Sequence, residues 1–460
     1  MIVGTSHFDG TVAILGLARS GLSAARALMA GGNRVVAWDD SRERRAAAAR
    51  AGIALQNGAN FDWRAIATLV PSPGIPLDHP IMAAARAAGV RILGDVELLW
   101  RAMPERKFIG ITGTNGKSTT TALIGHILNQ ARQTVQIGGN LGTPALSLEA
   151  LWSEGTYVLE MSSFQLDLTQ DLSFDIAILL NIAPDHLDRH GDMAAYVAAK
   201  RKIFRSGRLK TAVLGIDSPE TLRIHEELRA RDDLEIIPVT TGRRLLKGVA
   251  ANGGLLEDQG QAICDLQAAI ALPGSHNWQN AAAAYAATRA LGIDPEVIAR
   301  ALLNFPGLAH RMEHIAAIDG VQFINDSKAT NGAAAARALA CFRPIYWIAG
   351  GRAKSDGLKA LHPYFQRIAH AFLIGEAEPA FAAELESRVD YSGCGTLASA
   401  LDAAAARARA DGRPGAVVLF SPACASFDQF ADFEARGEAF RDMVIALEHR
   451  QAELARRHCA

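Results

Sequence analysis

Gly110-Ile-Thr-Gly-Thr-Asn-Gly-Lys-Ser-Thr119 is the stretch on which the reading of this chain turns. The apolar run Phe108-Ile-Gly-Ile111 enters it as a short strand. Ala122, Leu123, Ile124, Ile127 and Leu128 leave it as one apolar face of a helix. Strand, glycine turn and helix in that order form a phosphate cradle. Glycines let backbone N–H groups curl around phosphate oxygens, and the helix N-terminus adds a positive partial charge. Gly113, Thr114, Asn115 and Gly116 line the turn, Lys117 neutralises terminal phosphates, and the Ser118 or Thr119 hydroxyl ligates Mg²⁺. The strict nucleotide-loop spacing wants a further glycine where this chain has Ile111; the nearest earlier glycines are Gly113 and Gly110. A chance glycine turn before a helix is the bland alternative.

Outward from this loop, strand and helix patterns alternate in three blocks, which argues for an α/β fold with parallel sheets. The first block has apolar runs at Thr11–Leu15 and Arg34–Trp38 around an Ala-rich helix. The second continues with strands near Thr156–Leu159 and Asp175–Leu180. The third has strands near Gln322–Ile324, Ile345–Ile348, Ala371–Ile374 and Ala416–Phe420. Breaks at Met103-Pro104 and Phe305-Pro306-Gly307 divide the chain into domains 1–103, 104–305 and 306–460. The segment 245–272 shows no regular pattern.

The chain has 460 residues, and 49% are hydrophobic, enough for a core in each block. Lys plus Arg number 47 and Asp plus Glu 48, a net charge of -1. That balance gives no support for a nucleic-acid surface. Five scattered cysteines, without a CxxC pair, argue against a disulfide framework or structural zinc and suit a reducing cytosol. The N-terminus lacks a signal-peptide pattern, and no apolar run is long enough to insert in a membrane, so a cytoplasmic location is expected.

Several polar residues sit where α/β proteins bind ligands, just past strand ends. Glu160 opens Glu-Met-Ser-Ser-Phe-Gln. His186 lies in Asn181-Ile-Ala-Pro-Asp-His-Leu-Asp-Arg189, and Lys200 follows on a helical pattern. Read singly, these could be a solvated strand-end acid, a structural histidine and a surface lysine. Asp326 and Lys328, two apart in Asn325-Asp-Ser-Lys-Ala-Thr330, point to one side of an extended segment. There an acid can hold ribose hydroxyls while the lysine meets phosphate. Ser275 or Asn277 caps a helix just before Asn280. Cys424 reads as a small buried residue rather than a nucleophile. Gly16-Leu-Ala-Arg-Ser-Gly21, with Asp39 downstream, is a dinucleotide fingerprint lacking its middle glycine.

Thr112-Gly-Thr-Asn-Gly-Lys-Ser-Thr119, with the motifs above in this order, resembles the Mur ligase family over nearly the whole chain. The resemblance implies three domains: a Rossmann-like UDP-substrate domain, a central ATP-binding P-loop domain with a mainly parallel sheet, and a Rossmann-like amino-acid domain. It implies an ATP-dependent ligase that adds D-glutamate to UDP-N-acetylmuramoyl-L-alanine in peptidoglycan synthesis. Its cofactors are ATP and two Mg²⁺ ions, with Mn²⁺ as a substitute, and a monomer is expected.

By the same resemblance Ser118, Glu160, His186 and a carbamylated Lys200 hold metal, and Lys117, His186 and Lys200 are catalytic. Asn280 and Arg311 join the phosphate turn, Asp326 and Lys328 around ATP. Arg19, Ser20, Asp39, Gly74, Asn140 and His186 meet the UDP substrate. Ser426, Phe427 and Phe433 line the glutamate pocket, with Thr330 and Lys354 on its carboxylates. The third domain is expected to close on the second, because an activated acyl group hydrolyses in water.

Two rival classes stay open at this point. A nicotinamide dehydrogenase would change NAD(P)H absorbance and ignore ATP. A nucleotide sensor would bind ATP without substrate-dependent turnover.

Overall fold

Every strand that leads into a loop quoted above is interior to a sheet. A computed structural model describes residues 8–458 apart from 141, 152–153 and 354–356. It contains three sheets. The first is parallel, in the order β2-β1-β3-β4, from β1 (Thr11–Leu15), β2 (Val35–Trp38), β3 (Ile66–Pro71) and β4 (Arg91–Ile92).

The second sheet has nine strands. They are β5 (Lys107–Thr112), β6 (Val135–Gly139), β7 (Thr156–Glu160), β8 (Ile176–Leu179), β9 (Thr211–Gly215), β10 (Glu235–Thr240), β11 (Val249–Asn252), β12 (Leu255–Asp258) and β13 (Gln261–Asp265). The order is β13-β12-β11-β10-β9-β8-β5-β7-β6. The segment without a readable pattern thus supplies the antiparallel edge β11-β12-β13. The third sheet runs β14-β15-β19-β16-β17-β18, from β14 (Glu313–Ile318), β15 (Val321–Asn325), β16 (Ile345–Gly350), β17 (Ile368–Ile374), β18 (Tyr391–Gly395) and β19 (Val417–Phe420). Only β14 runs antiparallel within it.

The chain forms two compact units, residues 1–268 with 275–304, and residues 269–274 with 305–460. The first two sheets therefore share one unit. One buried acid shows how they are joined. Glu97, on the helix Asp95–Ala102, is inaccessible and pairs with Arg101 at 3.0 Å. It accepts the backbone N–H groups of Gln170, Asp171 and Leu172 at 2.9–3.1 Å. A charge-accepting hydrogen bond contributes about 1.5–3 kcal/mol, so this contact is a strong tie between the two sheets' layers.

Strand β5 lies between β7 and β8, and this order builds the site. Its apolar residues Phe108, Ile109 and Ile111 are fully buried. The helix Lys117–Gln130 buries Leu123, Ile124, Ile127 and Leu128, the face expected from their spacing. Each such side chain contributes about 1.5–3 kcal/mol by leaving water. In the same unit the helix Ser275–Ala290 buries Ala281 to Ala284, Ala286 and Ala287 almost without exposure; where side chains are this small its backbone can approach its neighbours closely.

Candidate active site

Gly116 takes φ 84° at the start of the helix Lys117–Gln130, a left-handed conformation that favours glycine. A Cβ there would also overlap the Asn280 side-chain oxygen. The helix begins without a side-chain cap, and a helix N-terminus of this kind favours an anion. The turn is fastened to the strand-end loop after β8. Thr114 N–H donates to Asn181 O and Asn115 N–H to Asn181 Oδ1, both at 2.9 Å. Asn181 Nδ2 returns a bond to Asn115 O at 3.2 Å. Thr114 Oγ1 lies 3.0 Å from the Tyr196 hydroxyl. Neither Asn181 nor Tyr196 is singled out by the sequence reading; Asn181 opens the motif quoted above, where its strand-end position is the available signal.

Two lysines converge on this turn. Lys117 Nζ donates to Gly113 O and Thr114 O at 2.9 Å. Lys200 Nζ also donates to Gly113 O at 2.9 Å, and lies 4.7 Å from the Tyr196 ring centroid. Lys200 is 2% exposed. Burial, and then the Lys117 ammonium, push the Lys200 amine down to about 7. A lysine of that kind is substantially neutral near neutral pH, and the neutral amine is the form that adds carbon dioxide.

Beside the turn, Ser118 Oγ donates to Glu160 Oε2 at 2.7 Å, and Asn140 Nδ2 donates to Glu160 Oε1 at 2.6 Å. Hydroxyl and carboxylate oxygens are the donors Mg²⁺ prefers. Among the described residues no three His, Cys, Asp or Glu side chains gather as a metal cage. A Mg²⁺ bound through few protein oxygens, waters and phosphates needs none. His186, at φ 52°, has a half-exposed side chain 3.5 Å from Asp185 and 5.0 Å from the Phe164 ring. The described contacts therefore join Ser118 to Glu160 and Lys200 to Gly113, but do not join His186 to either pair.

A cavity of about 460 Å³ opens in the same unit, lined by Arg19, Ser20, Gly74 and Asn140 among others. Gly16, at φ 89°, and Gly21 make its close turn; a Cβ on Gly21 would overlap Gly16 O. The helix Arg19–Ala30 starts there uncapped by a side chain, a favourable end for a diphosphate. Asp39 does not line the cavity. Its carboxylate accepts Leu17 N–H at 2.6 Å and Ser41 N–H at 2.8 Å, so it supports the turn from behind. Gln165, which sequence reading passed over, does line the cavity and closes a capping box with Ser162.

In the second unit, Asp326 follows β15 and Ser421 follows the neighbouring β19. Ser421 Oγ donates to Asp326 Oδ2 at 2.7 Å, and Met312 N–H to Oδ1 at 3.2 Å. Burial pushes the Asp326 carboxyl up to about 7. The turn carrying Arg311 is tied in by Lys328 N–H donating to His310 O at 3.0 Å. Lys328 Nζ sits 3.6 Å from the Phe433 ring centroid, so a nucleotide candidate and a glutamate candidate touch. The buried Arg436 donates to Ser327 and to Cys424 O, locking this loop to the segment that carries Ser426. Ser426 is buried, Phe427 is 64% exposed and Thr330 is half-buried. Lys354 lies outside the described residues. Burial raises the Cys424 thiol to about 12, which fits an inert packing role.

Three family models match the chain: a Mur ligase MurD-like N-terminal domain over residues 10–94, the Mur ligase middle domain over 111–288, and the Mur ligase glutamate ligase domain over 310–424. The UDP-N-acetylmuramoylalanine--D-glutamate ligase of Phenylobacterium zucineum (strain HLK1) is 51% identical over 470 residues, covering 99% of this chain and all of its own. The protein of the same name from Rhodospirillum rubrum is 52% identical over 453 residues, covering 95% of each. Among solved structures, the UDP-N-acetylmuramate-alanine ligase of Thermotoga maritima shares the fold with a TM-score of 0.59 at 18% identity, over 95% of this chain and 99% of its own.

Proposed function

The chain belongs to the Mur ligase family, and we propose on that premise that it joins D-glutamate to UDP-N-acetylmuramoyl-L-alanine at the expense of ATP, as a cytoplasmic monomer. One observation carries the reading beyond similarity. Asn140 lines the large cavity and donates to Glu160, whose other oxygen takes the Ser118 hydroxyl at the phosphate turn. An acceptor held in that cavity therefore presents its far end to a nucleotide held on the turn.

The acceptor carboxylate attacks the γ-phosphorus of ATP, and ADP leaves. Both reactants are anions, so positive charge must stand between them. Lys117 supplies one cation, and the uncapped helix start adds partial charge. Mg²⁺, or Mn²⁺ in its place, would be held by Ser118, Glu160, His186 and the carbamate of Lys200, and supplies the remaining positive charge. Two such ions belong to the proposal. The Lys200 amine is suited to the carbamate because burial and Lys117 have already made it give up its proton easily.

The product is an acyl phosphate. The D-glutamate amine attacks its carbonyl carbon and loses a proton, and the tetrahedral adduct expels inorganic phosphate. Asn280, Arg311, Asp326 and Lys328 serve the nucleotide. Ser426, Phe427, Phe433, Thr330 and Lys354 serve glutamate. Arg19, Ser20, Gly74 and Asn140 serve the UDP-sugar end, with Asp39 shaping its turn.

Phosphate release measured with UDP-N-acetylmuramoyl-L-alanine and, in parallel, D-glutamate, L-glutamate, L-alanine or meso-diaminopimelate tests the proposal. Release with D-glutamate alone is expected. Release that favours another amino acid, or that needs no acceptor, overturns it.

A further inference from the structure

The short helix Leu187–His190 follows His186 and carries a side chain that neither the nucleotide nor the metal reading uses. Arg189 reaches from the central sheet's layer to the loop after β3. Its Nη1 donates to Gly74 O at 3.1 Å, and its Nη2 to Ile75 O at 2.6 Å and Pro73 O at 3.4 Å. One guanidinium thus holds successive carbonyls of a single loop. Its planar fork suits that task, and an ammonium does not replace it. The group also stacks 4.6 Å from the Phe164 ring centroid. Asp167, Asp78 and Asp188 stand near enough to favour its charge against the cost of burial.

The base of this side chain is fixed as well. The neighbouring His190 lies 3.0 Å from Ser163 Oγ and packs between the Phe164 and Tyr196 rings. On the other side, Ser72, Pro73, Gly74 and Ile75 form one wall of the 460 Å³ cavity. Gly74 is exposed, and the loop's opposite end is tied down by Ser72 Oγ donating to Gly16 O at 2.9 Å.

We infer that Arg189 is a positioning residue for the acceptor: it holds the 73–75 wall of the UDP-sugar cavity in register with the loop that carries His186. Its described contacts are with Pro73, Gly74, Ile75 and Phe164 and not with the phosphate turn, so its effect falls on acceptor affinity and not on ATP affinity. The inference rests on the reading of the cavity given under the proposed function.

Arg189→Met keeps a stem to pack on Phe164 and removes every donor. Arg189→Lys keeps a charge that can reach one or two carbonyls. Calorimetric titration with UDP-N-acetylmuramoyl-L-alanine, and separately with Mg-ATP, reads both affinities without turnover. Loss of one charge-assisted bond's worth of wall rigidity gives a Kd for the acceptor about tenfold weaker in Arg189→Met. Arg189→Lys falls between, and ATP affinity stays within about twofold in both.

An acceptor Kd equal to wild type, or equal losses of acceptor and ATP binding, overturns the inference. Should Arg189→Met not fold, Arg189→Lys decides: its KM for acceptor rises while that for ATP holds, or the inference fails. Wild-type protein that does not bind the acceptor at all refutes the functional reading instead, so the two failures are distinct.

Discussion

Replacing Lys200 by methionine should remove activity and, at the same time, remove a pH dependence of stability. The reason is burial, and after it the Lys117 ammonium that converges on the same Gly113 O: the Lys200 amine falls from 10.5 to about 7. The sign follows from proton counting. Between about 7 and 10.5 the unfolded chain carries a proton on this amine that the native protein lacks, so stability rises with pH across that window and levels off above it. Below about 7 the native protein bears the full cost of a buried ammonium. From pH 7 to pH 9 this one group adds about 2 kcal/mol to stability. For a unit of this size that is about 3–5 °C in melting temperature.

Methionine has a similar reach and no charge at any pH. It forfeits the bond to Gly113 O, about 1 kcal/mol, but also the protonation term. Calorimetric melts of wild type and Lys200→Met at pH 7 and pH 9, in buffers free of nucleotide and carbon dioxide, isolate the term, because every other titrating group is common to both. The variant's melting temperature relative to wild type should fall by about 3–5 °C on going from pH 7 to pH 9. Equal differences at the two pH values would mean that Lys200 is an ordinary ammonium. The argument that it is ready to take up carbon dioxide would then fall, whatever the activity of the variant.

Lys117→Ala should lower kcat by at least about a thousandfold, since a preorganised charge at the transferring phosphoryl group is removed; ordinary turnover in the phosphate-release assay would misplace the nucleotide. Ser426→Ala should raise KM for D-glutamate while KM for ATP holds, and initial-rate kinetics showing the reverse would move the pocket elsewhere. Asp326→Asn should gain stability relative to wild type as pH rises from about 4 to 7. The wild-type carboxyl, pushed up to about 7, keeps in the fold a proton that the unfolded chain has lost over that range. Melts at pH 5 and pH 8 check this, with a gain of about 2–3 kcal/mol expected.

Most of the strands legible in sequence are buried on both faces, although the alternating edge strand β2 is legible and the buried β3 and β9 are not. Thr11–Leu15 coincides with β1, and Thr156–Leu159 lies within β7, because unbroken apolar runs leave few alternatives. The strands passed over lie mostly at or near sheet edges. β10 contains Pro238, β18 reads Tyr-Ser-Gly-Cys-Gly with alternating exposure, and β12 and β13 mix polar and apolar residues. Such segments become strands through the neighbours they pair with, and their own composition says little.

The site divides along a similar line. Residues at the ends of central strands could be found, because the strand order puts each at the rim of its own sheet: Glu160 ends β7 and Asp326 follows β15. What could not be found is how their polar atoms are shared. Asp39 has the spacing of a ribose-binding acid, yet Leu17 N–H and Ser41 N–H already occupy its oxygens. Arg189 stands in a motif otherwise read for its histidine, yet its partners lie 114–116 residues away on another sheet's loop. Lys200 has a surface lysine's surroundings in sequence, and only the fold brings a second lysine to the same carbonyl. That convergence is a charge placed where a charge is costly. A protein free to choose would have an apolar residue at position 200, which is why the arrangement argues for a reactive amine there and not for a structural one.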